Sequence, residues 1–266
     1  MNAELKEKIS KIKLFLMDMD GTVYVDGNKI EGAFETLDIL REKGKTVCFV
    51  TNNSSRSNQT YVKNLAKMNV FITPDEIYTS GEATCEFLNR KHYGKKVYLL
   101  ATDDVYNEFK SFGIPLSNED PDIVVVCFDT SLTYEKLNKA CEFIYKGKLY
   151  VATHPDTNCP STVSPMPDVG SFIALIDAAI GRKPDVIVGK PNREMAESIM
   201  AKYGFEKHET AMVGDRLYTD ILFGVDNGFN SILVMTGETT PLMLKSSGIQ
   251  PTLVLTTFKD ILEYIE

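Results

Sequence analysis

The segment KLFLMDMDGT, residues 13 to 22, joins an apolar run to two aspartates that stand two positions apart. Its first residues are typical of a buried strand, and Asp and Gly are common where a strand ends and a turn begins. A turn explains one aspartate more easily than a pair. If strand geometry continues through Asp20, the carboxylates of Asp18 and Asp20 project on the same side and repel each other. The segment therefore predicts a strand end with a cation between two carboxylates.

Composition limits the class of protein. The chain has 266 residues, enough for one large domain or two modest ones whose core needs no disulfide or metal. Its net charge of −8 predicts no nucleic-acid partner and no anionic membrane partner, because both require a dense basic surface. No apolar run approaches the ~20 residues that span a bilayer, and the charged N-terminal segment does not resemble a signal peptide. A cytoplasmic location is expected.

The cysteines do not predict a structural or metal-binding role. There are five, at positions 48, 85, 127, 141 and 159, and none is spaced as Cys-x-x-Cys. An odd number without that spacing disfavours both a disulfide framework and a zinc site. Cys48 and Cys127 lie in apolar runs, where buried and unreactive thiols are expected.

Short apolar runs alternate with amphipathic stretches along the whole chain, which is typical of an α/β protein with a parallel sheet. The predicted strands are KLFLMD (13–18), TVCFVTNN (46–53), DEIYTS (75–80), KKVYLLA (95–101), DIVVVCF (122–128), KLYVAT (148–153), PDVIVGK (184–190), TAMVGD (210–215), SILVMTG (231–237) and TLVLTT (252–257). Helices are predicted over 32–43, from an N-cap at Ser57 through Met68, near 103–111 and 133–145, and over 171–180 with Gly181 closing the last.

Ten strands are many for one sheet and fit two sheets better. The alternation restarts after DEIYTS and ends before PDVIVGK. We therefore expect a doubly wound, Rossmann-like parallel-sheet core made of residues 1–81 and 185–266. A second α/β domain, residues 82–184, is expected to be inserted in the middle of the chain.

Four of the predicted core strands end in polar residues. They are Asp18-Met-Asp20-Gly-Thr22, Thr51-Asn52-Asn53-Ser54, Gly189-Lys190-Pro191 and Gly214-Asp215 followed by Asp220. In an open parallel sheet the carboxyl ends of the strands line one crevice, so these side chains are expected to meet. Carboxylates for a hard cation, donors for anionic oxygens and one lysine together predict magnesium-assisted phosphoryl transfer.

The chemistry assigns a role to each aspartate of the first segment. A phosphomonoester repels a carboxylate nucleophile unless positive charge offsets both, and magnesium and Lys190 would supply that charge. Attack by Asp18 would divide hydrolysis into two displacements through an aspartyl-phosphate intermediate. The leaving alkoxide needs a proton and the second step needs a deprotonated water, so Asp20 would act as acid and then as base.

The motifs DMDGT, TNNSS, GKP and GDRLYTD, in this order, resemble those of the haloacid dehalogenase (HAD) superfamily. Their arrangement is similar to the NagD-like, p-nitrophenyl phosphatase branch, subfamily IIA. The resemblance extends to VATHPDTNCPS and GSFIALI in the middle segment, which look like the C2-type cap domain of that branch. It implies a phosphatase that acts on small phosphorylated metabolites.

The resemblance also implies ligands and binding residues. Mg²⁺ would be held by the side chains of Asp18 and Asp215 and by the backbone carbonyl of Asp20. Asp220 would orient the waters of the metal or Lys190. The residues implied for phosphate binding are Thr51, Asn52, Asn53 and Lys190. Three residues of the cap are expected to determine which substrates fit: His154, Asp156 and Asn158.

Two positions depart from the family pattern. Many relatives carry Asp where this chain has Tyr218, and many read Ala-Thr-Asn-Pro-Asp where this chain has His154. Neither position is a main ligand in that pattern, so the expected chemistry stands. The preference for one substrate, however, does not carry over from a relative: sugar phosphates, nucleotides, pyridoxal phosphate and glycerol phosphates all stay open, as does a homodimer.

Other functions fit parts of the pattern. A calcium-binding EF-hand loop also begins Asp-x-Asp, but position 23 is Val where that loop needs Gly. Dehalogenation does not need Asp20, which argues against it. A non-catalytic phospho-acceptor or binding module needs neither Asp20 nor a large insert, so both features disfavour it. A phosphomutase on the same fold stays open.

Overall fold

A computed structural model describes residues 3–25, 28–161 and 163–265 of the chain. Its contacts divide the chain into two compact units. The first unit consists of Met1–Val50, Asp75–Ile77 and Ile199–Glu266, and the second of Thr51–Pro74 and Tyr78–Ser198. Strands and helices alternate in both units, so the predicted α/β class is confirmed.

The strands of the described residues follow in chain order. They are β1 (Leu14–Met17), β2 (Tyr24–Val25), β3 (Asn28–Lys29), β4 (Thr46–Thr51), β5 (Ile77–Thr79), β6 (Val97–Leu100), β7 (Ile123–Val126), β8 (Leu149–Ala152), β9 (Asn158–Cys159), β10 (Met166–Pro167), β11 (Val186–Ile187), β12 (Thr210–Gly214), β13 (Asn230–Val234) and β14 (Leu253–Leu255). Each of the ten predicted strands is present. The two-residue strands β2, β3, β9 and β10 were not predicted, because such short pairs carry no hydrophobic period.

The helices of the described residues complete the fold. They are α1 (Ala3–Ser10), α2 (Ala33–Glu42), α3 (Asn58–Lys67), α4 (Ser80–Lys91), α5 (Asp103–Ser111), α6 (Tyr134–Tyr145), α7 (Val169–Ile180), α8 (Arg193–Tyr203), α9 (Leu222–Asn227), α10 (Pro241–Ser247) and α11 (Leu262–Ile265). The predicted cap at Ser57 is present, since its hydroxyl accepts a hydrogen bond from Thr60 N. No helix among these has the length and apolar character needed to cross a membrane.

The larger sheet of the described residues has the strand order β14-β13-β12-β1-β4-β5. β1 is buried along its whole length and pairs in parallel with β12 and β4. From β1 the chain builds outward through β4 and β5 on one side and through β12, β13 and β14 on the other. The sheet is therefore doubly wound, as predicted, and its strand order reverses between β1 and β12. In such sheets the crevice at the carboxyl end of that reversal is the usual ligand site.

The second unit contains a parallel sheet with the order β11-β8-β7-β6. Its core is an apolar cluster formed by strand residues such as Leu100, Val124 and Tyr150 together with residues of α6 and α7. β11 pairs with β8 in this sheet, although the sequence pattern grouped PDVIVGK with the strands of the core. The difference has a simple cause: a short apolar run predicts a buried strand but does not specify which sheet that strand joins.

Candidate active site

Asp18 and Asp215 lie at the reversal point of the larger sheet. Met17 at the end of β1 is in register with Val213 of β12, and Asp18 N donates to Val213 O at 2.9 Å. Asp18 and Asp215 therefore leave the same edge of the sheet from adjacent strands. Asp220 reaches this place from a π-helical turn, Leu217–Ile221, that follows β12. One carboxylate oxygen from each of these three aspartates lies within 4.8 Å of the other two.

The Asp215 carboxylate is closely enclosed. Gly21 and Gly237 approach it so nearly that a side-chain carbon on either would overlap Asp215 Oδ2, and Gly21 also has a φ of +78°. Glu238 N donates to Asp215 Oδ2 at 2.6 Å. The other oxygen, Oδ1, is buried and has no hydrogen-bond partner within the described part of the chain. A buried carboxylate oxygen without a donor is costly, and a cation removes that cost.

The electrostatics of the cluster also favour a cation. Burial, together with the negative charge of Asp18, raises the pKa of Asp215 to about 6. Arg216 offsets part of that charge: burial opposes its ionisation, but Asp18 and the neighbouring carboxylates hold the pKa of its guanidinium above the ordinary value. Arg216 Nε also pairs with Glu238 Oε2 at 3.2 Å. Oxygen ligands of this kind suit Mg²⁺, so the residues fit the expected ion.

Asp20 occupies a different environment from Asp18. It is exposed, whereas Asp18 is partly buried, and it lies at a tight turn in which the amides of Thr22 and Val23 donate to Met19 O. A bridge between Asp20 and Tyr24 leads from this turn into β2 and β3. An exposed carboxyl group exchanges protons with water readily, which is what an acid and base requires.

In the second unit, the last residue of β4 and the loop that follows it are organised by side-chain hydrogen bonds to the backbone. Thr51 Oγ1 accepts from Asn53 N at 3.1 Å, so its hydroxyl keeps a hydrogen to donate. Asn53 Oδ1 accepts from Ser55 N at 2.9 Å and from Ser55 Oγ at 2.7 Å. Asn53 therefore stabilises its own loop, and its amide nitrogen approaches Cys159 Sγ at 3.7 Å.

The side chain of Asn52 pairs with the backbone of Lys190. Its Oδ1 accepts from Lys190 N at 2.8 Å, and its Nδ2 donates to Lys190 O at 2.9 Å. Nδ2 also donates to Asp156 Oδ2 at 3.1 Å. The Lys190 side chain is almost fully buried, with 1% of its residue surface exposed. The structure thus brings together three residues that the sequence assigned to separate loops.

His154 is the most enclosed of the predicted cap residues. It is fully buried, with Nε2 3.3 Å from Asp168 Oδ1 and Nδ1 3.7 Å from Asp156 Oδ2. Burial lowers the pKa of His154 to about 4; Asp156 opposes this shift and Lys190 adds to it. Asn158, by contrast, is exposed in β9. Of the three predicted residues in this turn, His154 is buried, Asp156 is partly buried and Asn158 is exposed.

This burial predicts that His154 destabilises the protein in acid. Because its folded pKa of about 4 is below the ordinary 6.5, the unfolded chain binds the proton more tightly. The free energy of unfolding is therefore at its full value above the unfolded pKa of 6.5, and part of it is lost as the pH falls from there toward the folded pKa of about 4. Between pH 7.5 and 5 we expect a loss of roughly 2 kcal/mol, which His154→Asn should remove.

Urea unfolding of both proteins at the two pH values measures this loss. His208→Asn, at an exposed position, is the matched control and should behave like the wild type. The expectation is wrong if His154→Asn loses as much stability in acid as the wild-type protein does.

Arg216, Gly237 and Glu238 are parts of the site that sequence reasoning missed. Arg216 stands inside the motif GDRLYTD, so its proximity to the carboxylates was a usable signal. Gly237 and Glu238 act through a close approach and a backbone amide. Neither contact requires a particular residue type that the sequence would reveal, apart from the glycine at the end of the predicted strand 231–237.

Comparison with known proteins identifies the family of the chain. A family model described as haloacid dehalogenase-like hydrolase matches residues 15–115, and a second, described as HAD-hydrolase-like, matches residues 187–261. An acid sugar phosphatase of Staphylococcus aureus (strain USA300) is 31% identical over 258 residues, which cover 97% of this chain and 98% of that protein.

Two solved structures extend the comparison. The 4-nitrophenylphosphatase of Thermotoga maritima is 45% identical, with a TM-score of 0.93 over 97% of this chain and 99% of that one. NagD of Escherichia coli K-12 is 31% identical, with a TM-score of 0.85 over 92% of this chain and 96% of that one. The chain belongs to the haloacid dehalogenase-like hydrolases, in the branch of NagD and the p-nitrophenyl phosphatases, and is a hydrolase of phosphoric monoester bonds.

Proposed function

We propose that the protein is a magnesium-dependent phosphatase that hydrolyses small phosphomonoesters through an aspartyl-phosphate intermediate. Two observations of the same cluster carry this proposal: carboxylate oxygens of Asp18, Asp215 and Asp220 lie within 4.8 Å of one another, and the buried Asp215 Oδ1 has no hydrogen-bond donor among the described residues. Mg²⁺, held by Asp18, Asp215 and the Asp20 carbonyl, would supply the positive charge that offsets repulsion between these carboxylates and an anionic substrate.

In the first half-reaction, an Asp18 oxygen attacks phosphorus and the bond from phosphorus to the alkoxide oxygen breaks. Asp20, protonated at this stage, gives its proton to the departing oxygen. Lys190 and the Thr51 hydroxyl would bind the phosphoryl oxygens, and the loop formed by Asn52 and Asn53 would hold these donors in place. Asp220 would orient the surrounding waters or Lys190.

In the second half-reaction, water attacks the phosphorus of the aspartyl phosphate. Asp20, now a carboxylate, takes the proton of that water, and the bond from phosphorus to the Asp18 oxygen breaks. Inorganic phosphate leaves and both aspartates return to their first state. Because one exposed carboxyl group serves both steps, its protonation alternates once in each turnover.

The substrate is proposed by chemical class. The names of the relatives, acid sugar phosphatase and 4-nitrophenylphosphatase, point to small phosphomonoesters as substrates. We propose a sugar phosphate, nucleotide or similar metabolite, with p-nitrophenyl phosphate as an artificial substrate. Phosphate release from a panel of such esters, with and without Mg²⁺, tests this. Phosphorylation of the protein without phosphate release would instead indicate a phospho-acceptor.

Metal binding is expected to raise thermal stability. Mg²⁺ that binds the folded state but not the unfolded chain shifts the unfolding equilibrium toward the folded state by mass action. At pH 7.5 saturating Mg²⁺ should raise the Tm, and the rise should shrink below about pH 6, where protons compete for Asp215. Asp215→Asn should lose the rise, while Asp226→Asn, at an exposed position of the same unit, should keep it. Equal rises in wild type and Asp215→Asn would contradict the proposed metal site.

The inserted segment is proposed as a lid. We propose that residues 82–184 form a cap domain that selects the leaving group, with the turn that carries His154, Asp156 and Asn158 as its specificity element. Since Asn158 alone of these three is exposed, its side chain is the direct candidate for substrate contact.

Asn158→Ala should therefore raise KM for a bulky phosphate ester several-fold. It should leave kcat and the kinetics on p-nitrophenyl phosphate nearly unchanged, because uniform binding is lost without loss of transition-state stabilisation. Steady-state kinetics on the two esters measure this. Equal losses of kcat on both would place Asn158 in the catalytic machinery instead.

A further inference from the structure

The Asn52 carboxamide has no hydrogen left to give to a phosphate. An asparagine side chain offers two N–H donors and one acceptor oxygen. The donors are used by Lys190 O and Asp156 Oδ2, at 2.9 Å and 3.1 Å, and the oxygen accepts from Lys190 N at 2.8 Å. These partners also determine which end is oxygen, because a backbone N–H must face Oδ1 and a carboxylate must face Nδ2.

Asn52 is itself held at both ends. The Ser80 hydroxyl donates to its backbone oxygen, and Gly189 packs against its side-chain oxygen so closely that a side-chain carbon at position 189 would overlap it. Gly189 is equally close to Thr153 O and the His154 side chain. The approach of Asn52 to Lys190 therefore depends on a glycine before the lysine.

Asp156 is anchored by the first turn of α7. Gly170 N donates to Asp156 O at 2.7 Å, and Gly170 has no space for a side chain against the backbone of Pro155 and Asp156. Asp168, the N-cap of α7, donates its amide to Thr157 O at 3.1 Å. The backbone of Asp156 is thus held in place, and from it the carboxylate accepts the hydrogen bond from Asn52 Nδ2.

Lys190 needs such support. A lysine is rarely buried, its charge is costly to bury, and its four-carbon stem has many rotamers that must be fixed before the ammonium can act at one point. Pairing of one side chain with both the N–H and the C=O of Lys190 fixes the backbone from which that stem extends. Asp156 supplies the charged acceptor that holds the pairing carboxamide, and charged hydrogen bonds are the stronger kind.

We propose that Asn52, through its carboxamide, and Asp156, through its carboxylate, are positioning residues that act through Lys190, the proposed phosphate-binding cation, and that these two side chains are not ligands of the substrate. This inference rests on the proposed function for its kinetic consequence, but the placement of Lys190 can be measured without it. It also assigns to Asp156 an effect on every substrate, in contrast to the selective effect expected of Asn158.

The kinetic test uses near-isosteric variants and a double-mutant cycle. Asn52→Asp keeps the shape but cannot donate to Lys190 O, and Asp156→Ala removes the acceptor. Each should raise KM for p-nitrophenyl phosphate and the inhibition constant of inorganic phosphate roughly tenfold. Asp156→Asn keeps an acceptor oxygen and should recover most of the loss. Asn138→Asp, at an exposed position of the same unit, is the control for added charge.

In a Lys190→Met background, Asn52→Asp and Asp156→Ala should raise KM and the inhibition constant of phosphate little further, because their effect passes through the lysine. Full additivity in that background would overturn the proposal, since Asn52 or Asp156 would then act on the substrate independently of Lys190.

A second measurement does not depend on activity. Lys190 is almost fully buried and should react slowly with an amine-acetylating reagent in the wild-type protein. Asn52→Asp and Asp156→Ala should accelerate acetylation of Lys190 roughly tenfold, as read by peptide mass spectrometry, and leave exposed lysines unchanged. Wild-type rates at Lys190 in both variants would overturn the positioning role. A wild-type protein that hydrolyses no phosphomonoester would overturn the proposed function alone, and acetylation would still decide this inference.

Discussion

Asp18→Asn is expected to abolish hydrolysis of p-nitrophenyl phosphate, lowering kcat about a thousandfold or more, which corresponds to roughly 4 kcal/mol of barrier. The amide has nearly the shape of the carboxylate but cannot attack phosphorus. Asp18 is partly buried beside β12, and the substitution keeps its backbone hydrogen bond to Val213. Steady-state assays at saturating Mg²⁺ measure the loss, and circular dichroism checks that the fold persists.

Asp226→Asn is the matched control for Asp18→Asn, because it makes the same chemical change at an exposed position of the same unit. It should retain wild-type turnover. If Asp18→Asn kept even a tenth of wild-type kcat, Asp18 would not be the nucleophile.

The second large effect concerns Asp20 and depends on the leaving group. Asp20→Asn cannot protonate a departing alkoxide, so hydrolysis of an alkyl phosphate should fall about a hundredfold or more. p-Nitrophenolate is a far better leaving group and needs less help from an acid, so its release should fall much less. The measurement is kcat/KM for the two esters, taken as a ratio of variant to wild type.

A burst of p-nitrophenolate is expected from Asp20→Asn, because release of the first product would be faster than attack by water without its base. Equal losses on the two esters would contradict the role of Asp20 as leaving-group acid. They would place its function in dephosphorylation or in metal geometry.

Much of the fold followed from simple periodicity. The apolar runs around Leu14–Met17 and Ile123–Val126 are buried strands. Ser57 caps the start of α3 and Gly181 caps the end of α7, as their cap chemistry predicts. α4 was not predicted, because its N-cap Thr79 lies within DEIYTS, which reads as a strand. A helix that begins directly at a strand end gives no intervening turn signal.

The candidate site was less accessible to sequence reasoning. The proximity of Asp18 and Asp215 was predictable because the carboxyl ends of parallel strands lie at the same edge of the sheet. The pairing of Asn52 with Lys190 was not, since it joins residues 138 positions apart through a backbone N–H and C=O that every residue carries. The complete burial of His154 was equally hidden, because a polar residue after a strand is more often exposed.

The stereochemical course at phosphorus tests the covalent mechanism most directly. An isotopically chiral phosphorothioate monoester, hydrolysed in water of a third oxygen isotope, yields chiral inorganic thiophosphate whose configuration can be determined. Two displacements, first by Asp18 and then by water, each invert phosphorus, so the proposed mechanism requires net retention. Net inversion would mean that water attacks the ester in one step, and Asp18 would then not carry the phosphoryl group.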